Sequence, residues 1–174
     1  MRNLIVLTTA EHNTGPKATG YDGKLTDEGV EQLRKKVLPV VKGMSDLVVL
    51  RGSGIRHQDT ALTVGIENFA QKNNILGNDQ AIASLVAYGD LERYQEFIDE
   101  IQRILKSTDR QAIIITDPIY LLLLHWWQMS ANRQKMIGGL GDFISSVIYA
   151  HNNFGGLPDL RPGKLIELEI DLEK

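Results

Sequence analysis

Apolar residues in this chain come as short unbroken blocks, separated by longer stretches in which they recur every three or four positions. Leu4-Ile5-Val6-Leu7 stands between polar residues, and so brief a block predicts a strand over 3–8 covered on both faces. After a Gly/Pro/Thr-rich loop from Asn13 to Lys24, Val30, Leu33 and Val37 recur at helical spacing. Thr26 is the expected N-cap, with Asp27 and Glu28 placing negative charge in the first turn. Pro39 and Gly43 limit how far that helix runs. Asp46 to Leu50 predicts a second strand, and a Gly-rich turn from Arg51 to Gly54 leads into a helix reaching about Gln71.

The second half alternates in the same way. Ile75 to Val86 fits either a short strand or a loop. Gly89-Asp90 reads as a turn with an N-cap, and Leu91, Tyr94, Ile98, Ile101 and Leu105 make one helical stripe. A strand over 112–116 follows, and Pro118 suits the first turn of a helix carrying Tyr120 to Gln128. Ser145 to His151 fits strand or helix. Lys164 to Asp171 alternates Ile166, Leu168 and Ile170 with Glu167 and Glu169, as a half-buried strand would. Strands separated by helices imply an α/β fold: a three-layer α/β/α sandwich around a mostly parallel sheet. Ligands gather at the carboxyl ends of such strands. Thr8-Thr9, Arg51 to Arg56 and Thr116-Asp117 should therefore converge on one cleft.

Composition narrows the classes of function. A chain of 174 residues suits one domain, 1–174, with a core large enough to need no staples. The absence of cysteine excludes thiol chemistry and cysteine-ligated zinc, and argues against disulfide-based secretion. A net charge of -3 gives no electrostatic reason to expect nucleic acid or an anionic membrane as partner. Arg34-Lys35-Lys36, the densest basic run, reads as a solvated helix face. The apolar stretch from Ile113 to Trp127 is interrupted by Thr116-Asp117-Pro118 and by His125, so it is too broken to span a bilayer. Arg2 with Leu4 to Leu7 is too short for a signal peptide. The expectation is a cytoplasmic protein with no cofactor and no bound metal.

Four patches carry a resemblance. They are Thr8-Thr9-Ala10-Glu11 after the first strand, Leu25-Thr26-Asp27-Glu28-Gly29, Ser53-Gly54-Ile55-Arg56-His57-Gln58-Asp59-Thr60-Ala61, and Thr116-Asp117-Pro118. In order and spacing the chain resembles the histidine phosphatase superfamily, the phosphoglycerate-mutase-like proteins, and within it the short single-domain branch. The family's Arg-His-Gly falls on Thr8, Thr9 and Ala10, and its second catalytic histidine falls on Thr116. Leu-Thr-x-x-Gly is intact. Of the next signature Arg56, Thr60 and Ala61 keep their places, Gly52-Ser53 replaces Ser-Pro, and His57 replaces an alanine. The resemblance implies a phosphatase or phosphomutase ancestry, with Arg56 at a phosphate-binding position.

The chemistry of these departures points to lost activity. A neutral imidazole offers a lone pair near pH 7 and forms a labile phosphohistidine, whereas a threonine hydroxyl does neither without a base beside it. Losing an arginine and the second histidine also removes charge that would stabilise the transition state. The expected function is a catalytically inactive, phosphoglycerate-mutase-like protein that binds or regulates through a remnant anion cleft. Thr8, Thr9, Arg56, Thr116 and Asp117 would line it, and a small anionic ligand or phosphopeptide would be its partner. Arg51 could add a second cation, and Gly52 and Gly54 would leave backbone N–H groups open there.

Two other functions compete. One is a phosphatase or phosphomutase acting by an altered mechanism on a phosphorylated metabolite or phosphohistidine protein, with Thr9 or His12 reactive and Asp90 as general acid. The other is a structural or dimerisation module with a vestigial cleft, for which Trp126-Trp127 could supply a homodimer face. Each residue also has a plainer reading. Arg56 would pair with Asp59 or another carboxylate, His57 would be a solvated first-turn residue, and Asp90 would be a helix cap. His12 and His151 would be loop residues, and the tryptophans would be core.

Overall fold

Successive side chains on a strand point to opposite faces, and the central strands obey this with apolar residues on both. The computed structural model describes residues 1–11, 24–77, 90–154 and 162–174. Its strands are β1 (Arg2–Thr8), β2 (Leu47–Arg51), β3 (Ala70–Lys72), β4 (Gln111–Thr116) and β5 (Leu165–Ile170). They form one sheet in the order β3-β2-β4-β1-β5. The first four are mutually parallel along that order, and β5 runs antiparallel to β1 at one edge. Ile5, Leu7, Val49, Ile113 and Ile115 face one apolar cluster, while Leu4, Val6, Leu50, Ala112 and Ile114 face another.

Helices close both faces. On the first lie α1 (Asp27–Lys36), α2 (Leu38–Lys42) and α3 (Ile55–Thr63), whose Leu33, Val41 and Ala61 complete that cluster. On the second lie α4 (Leu91–Ser107), α5 (Ile119–Gln128) and α7 (Leu140–Phe154), with α6 (Ala131–Ile137) between the last two. Of the predicted α4 stripe Ile98, Ile101 and Leu105 are buried, joined by Phe97 and Ile104, whereas Leu91 at the start of the helix is exposed. The three-layer α/β/α sandwich around a mostly parallel sheet expected from the sequence is the architecture observed.

Local chemistry sets the element ends. Thr26 caps α1, its hydroxyl accepting from the Gly29 N–H at 3.0 Å, and its own N–H donates to the Glu11 carbonyl at 2.9 Å. Gly29 is required by space: a Cβ there would stand 2.6 Å from the Glu11 carbonyl oxygen. The Leu-Thr-x-x-Gly signature thus anchors the segment after β1 to the start of a helix. Thr26→Ala should cost about 1 kcal/mol of stability, measured by urea denaturation, since it strips one cap hydrogen bond.

Several expectations are corrected. The helix predicted to reach about Gln71 ends at Thr63, because Gly65 adopts φ +76 and turns the chain toward a short 3-10 turn and then β3. Ser145 to His151 is helical, inside α7, so His151 is not in a loop. Helical structure also resumes beyond Val37, with Pro39 in the first turn of α2 where its missing N–H costs nothing. Trp126 and Trp127 lie in the core, Trp126 packing against Phe143 at 5.2 Å between ring centroids. Ile75 and Leu76 form a 3-10 turn. Residues 78–86, the Asn13 to Lys24 loop except its last residue, Gly89 and His12 lie outside the described residues. Among the described residues, no helix is long and apolar enough to cross a membrane.

Candidate functional site

Parallel pairing of β1 with β4 sets Thr8 opposite Thr116, so the two segments leave the sheet side by side. The Thr9 N–H donates to the Thr116 carbonyl at 2.9 Å, and the Gly52 N–H at the end of β2 donates to the Ile115 carbonyl at 3.0 Å. Three strand ends separated by more than a hundred residues of chain therefore meet at one point. The α3 helix begins there, after Gly54, and brings Arg56 and His57 in its first turn.

The centre of the site is Asp117. The Arg56 Nε donates to its Oδ1 at 2.7 Å, and Nη2 donates to Oδ2 at 2.9 Å. The Thr9 hydroxyl donates to Oδ1 at 3.1 Å. His57 Nε2 lies 3.1 Å from Oδ2, an ion-pair distance, although its alignment falls short of a hydrogen bond and its Nδ1 is buried without a partner. Arg56 is 1% exposed, His57 0%, Thr9 1% and Asp117 6%. Burial pushes the Asp117 carboxyl upward, but the Arg56 hydrogen bonds and the nearby His57 outweigh it and hold the group well below the usual carboxylate range. The result is a dry, ionised Arg–Asp pair with an imidazole and a hydroxyl gathered on the same carboxylate.

Glycines make room for the imidazole. A Cβ on Gly52 or on Gly77 would stand 2.5 Å from His57 Nε2, and one on Gly77 would also stand 3.0 Å from Asp117 Oδ2. Gly77 has φ 160, which is extended backbone, so space and not conformation demands a glycine there. Ser53 ties the two walls together: its N–H and its hydroxyl both donate to the Gly77 carbonyl, at 3.1 and 3.2 Å.

The remaining expected site residues turn to other partners. The Thr8 hydroxyl accepts from the Lys164 N–H at 2.8 Å, which fastens the start of β5. The Thr116 hydroxyl donates to the Leu76 carbonyl. Thr60 donates to the Arg56 carbonyl at 2.7 Å, and its oxygen accepts from the Ala10 N–H at 3.4 Å, bracing α3 against the end of β1. Asp90 caps α4 by accepting from the Glu92 and Arg93 N–H groups, each at 3.1 Å. Arg51 donates to the Gly52 carbonyl at 3.1 Å.

The structure decides three local readings. Arg56 is paired with a carboxylate, as its plainer reading had it, and of the alternatives left open that carboxylate is Asp117. His57 is wholly buried where a solvated first-turn residue was expected, because Gly52 and Gly77 leave room for its ring beside Asp117. The Gly52 N–H is committed to the sheet and is not open to a ligand. No helix-spacing or charge rule could have found His57, since the glycine that completes its slot is twenty residues away in another loop. The one sequence signal was its adjacency to Arg56 in the first turn of a helix that starts at a strand end.

Comparisons with known proteins agree on the architecture. No family model and no curated protein matches the sequence. Among solved structures, a mycobacterial glucosyl-3-phosphoglycerate phosphatase superposes with a TM-score of 0.59 at 13% identity, covering 99% of this chain and 94% of that one. The product of an open reading frame from Mycobacterium tuberculosis gives a TM-score of 0.61 at 11% identity, covering 98% and 92%. A candidate alpha-ribazole-5'-phosphate phosphatase from Escherichia coli gives 0.54 at 16% identity, covering 83% and 84%. At such identities the likeness establishes a shared fold, and the fold is that of the histidine phosphatases.

Proposed function

We propose that this protein, a chain with the histidine phosphatase fold, is catalytically silent and acts by binding and not by phosphoryl transfer. One observation carries the reading: the only cation placed at the centre of the site by the described residues, Arg56, is held by Asp117 through two short hydrogen bonds. Phosphoryl transfer needs a nucleophile and positive charge aimed at the transferring oxygens. Thr9 supplies a hydroxyl, but that hydroxyl is buried and donates to Asp117. A carboxylate held this far below its ordinary range is a poor base, so it leaves the Thr9 proton in place. A negative charge in the middle of the site also repels a phosphate dianion. The neighbours named as phosphatases share the fold with this chain, and at 13–16% identity that likeness does not carry their chemistry over.

The expected result is no turnover of a generic aryl phosphate ester above the rate of a matched Thr9→Ala, Arg56→Met double variant. Turnover that either Thr9→Ala or His12→Ala abolishes would replace this reading with an altered-mechanism phosphatase.

A further inference from the structure

Asp117 presents its two carboxylate oxygens to the Arg56 guanidinium, the Thr9 hydroxyl and the His57 ring at once, at 2.7 to 3.1 Å. These groups come from two separate elements: the end of β1 and two positions in the first turn of α3. All three are at most 1% exposed. Such a convergence of a guanidinium, a hydroxyl and an imidazole on one carboxylate is what a receptor for a small oxyanion looks like when it is full. Its occupant here is covalently attached, at the start of the loop from β4 into α5.

From this geometry we infer that Asp117 is a tethered ligand, an autoinhibitory contact that fills an oxyanion receptor built by Arg56, His57 and Thr9. The tether gives the internal carboxylate a large effective concentration, so a free anion of similar intrinsic affinity cannot compete for the seat. The slot walls stand close to the ring and the carboxylate. Gly52 and Gly77 hold their backbones against the His57 ring, and the Gly77 Cα lies close enough to Asp117 Oδ2 that a Cβ would press on it. The inference builds on the reading of a silent site but concerns only who occupies the seat. Ester turnover would therefore sink the silent reading, whereas the following test reads anion occupancy alone.

The experiment is chemical rescue. Asp117→Ala removes the carboxylate that accepts from Arg56 Nε and Nη2 and leaves a buried cavity of about its size, and formate is that carboxylate without its tether. Sodium formate should raise the melting temperature of Asp117→Ala saturably relative to equimolar sodium chloride, by about 5–10 °C at roughly a hundred times its Kd. The wild-type protein should show no such difference with formate or phosphate, and Asp117→Ala combined with Arg56→Met should lose it. If Asp117→Ala does not fold unaided, refolding with formate but not chloride is the expected result. A folded Asp117→Ala indifferent to formate, an unfolded one that formate does not recover, or a saturable wild-type response abolished by Arg56→Met would each overturn the proposal.

Discussion

Arg56→Met should destabilise this protein by about 3–5 kcal/mol at neutral pH, because it leaves the Asp117 charge buried without the guanidinium. An exposed arginine serving as a ligand contact would cost far less, since surface substitutions usually fall within about 0.5 kcal/mol. The pH dependence identifies the cause. In the wild-type protein the folded Asp117 carboxyl is held below its unfolded value, so its contribution is fully present above about pH 4 and is lost only as pH falls further. In Arg56→Met, burial remains while the guanidinium is gone, and the folded carboxyl rises above its unfolded value. The variant then regains stability by taking up a proton as pH falls from 7 toward 4. Urea denaturation across that range should show the gap between the two proteins closing on acidification. A gap that stays constant would mean that Arg56 acts through packing of its aliphatic stem and not through Asp117.

Gly77→Ala should cost about 1–3 kcal/mol, the range for forcing an extra methyl into a filled interior. The added Cβ meets His57 Nε2 at 2.5 Å and Asp117 Oδ2 at 3.0 Å, and the ring is fully buried with no solvent to move into. Fewer unfolded conformations for alanine would offset part of this, by about 0.4–1 kcal/mol. Gly43→Ala is the control, because its nearest atom is the Val40 carbonyl oxygen at an ordinary 3.4 Å. The decisive comparison is a double-mutant cycle with His57→Ala. Once the ring is gone the methyl at position 77 has room, and a coupling of about 0.5–3 kcal/mol is expected. Equal cost of Gly77→Ala in both backgrounds would show that the imidazole does not set the requirement for glycine.

What was legible and what was not follow a physical division. Leu4 to Leu7 and Ile113 to Ile115 could be read as buried strands because a sheet covered on both faces needs apolar residues at every position. The caps at Thr26 and Asp90 were legible because a side-chain oxygen two or three residues before an open N–H is a local event. The end of α3 at Thr63 was missed although Gly65 was visible, since a lone glycine in a helical pattern is tolerated as often as it terminates. For Ser145 to His151, a short apolar stretch suits strand and helix alike, and packing in α7 decided between them.

The order of amino acids by itself determined the layered α/β architecture and the convergence of three strand ends, with a threonine at two of them. Each of these rests on periodicity, local chemistry or residue identity, which need no knowledge of distant neighbours. Only the tertiary structure decided that Asp117 neutralises Arg56, that His57 is enclosed between Gly52 and Gly77, and that the hydroxyls of Thr8 and Thr116 serve Lys164 and Leu76. Those pairings join residues up to 156 positions apart. The charge of an arginine in a sequence says that it needs a partner when buried, but which carboxylate answers is settled by how the strands align.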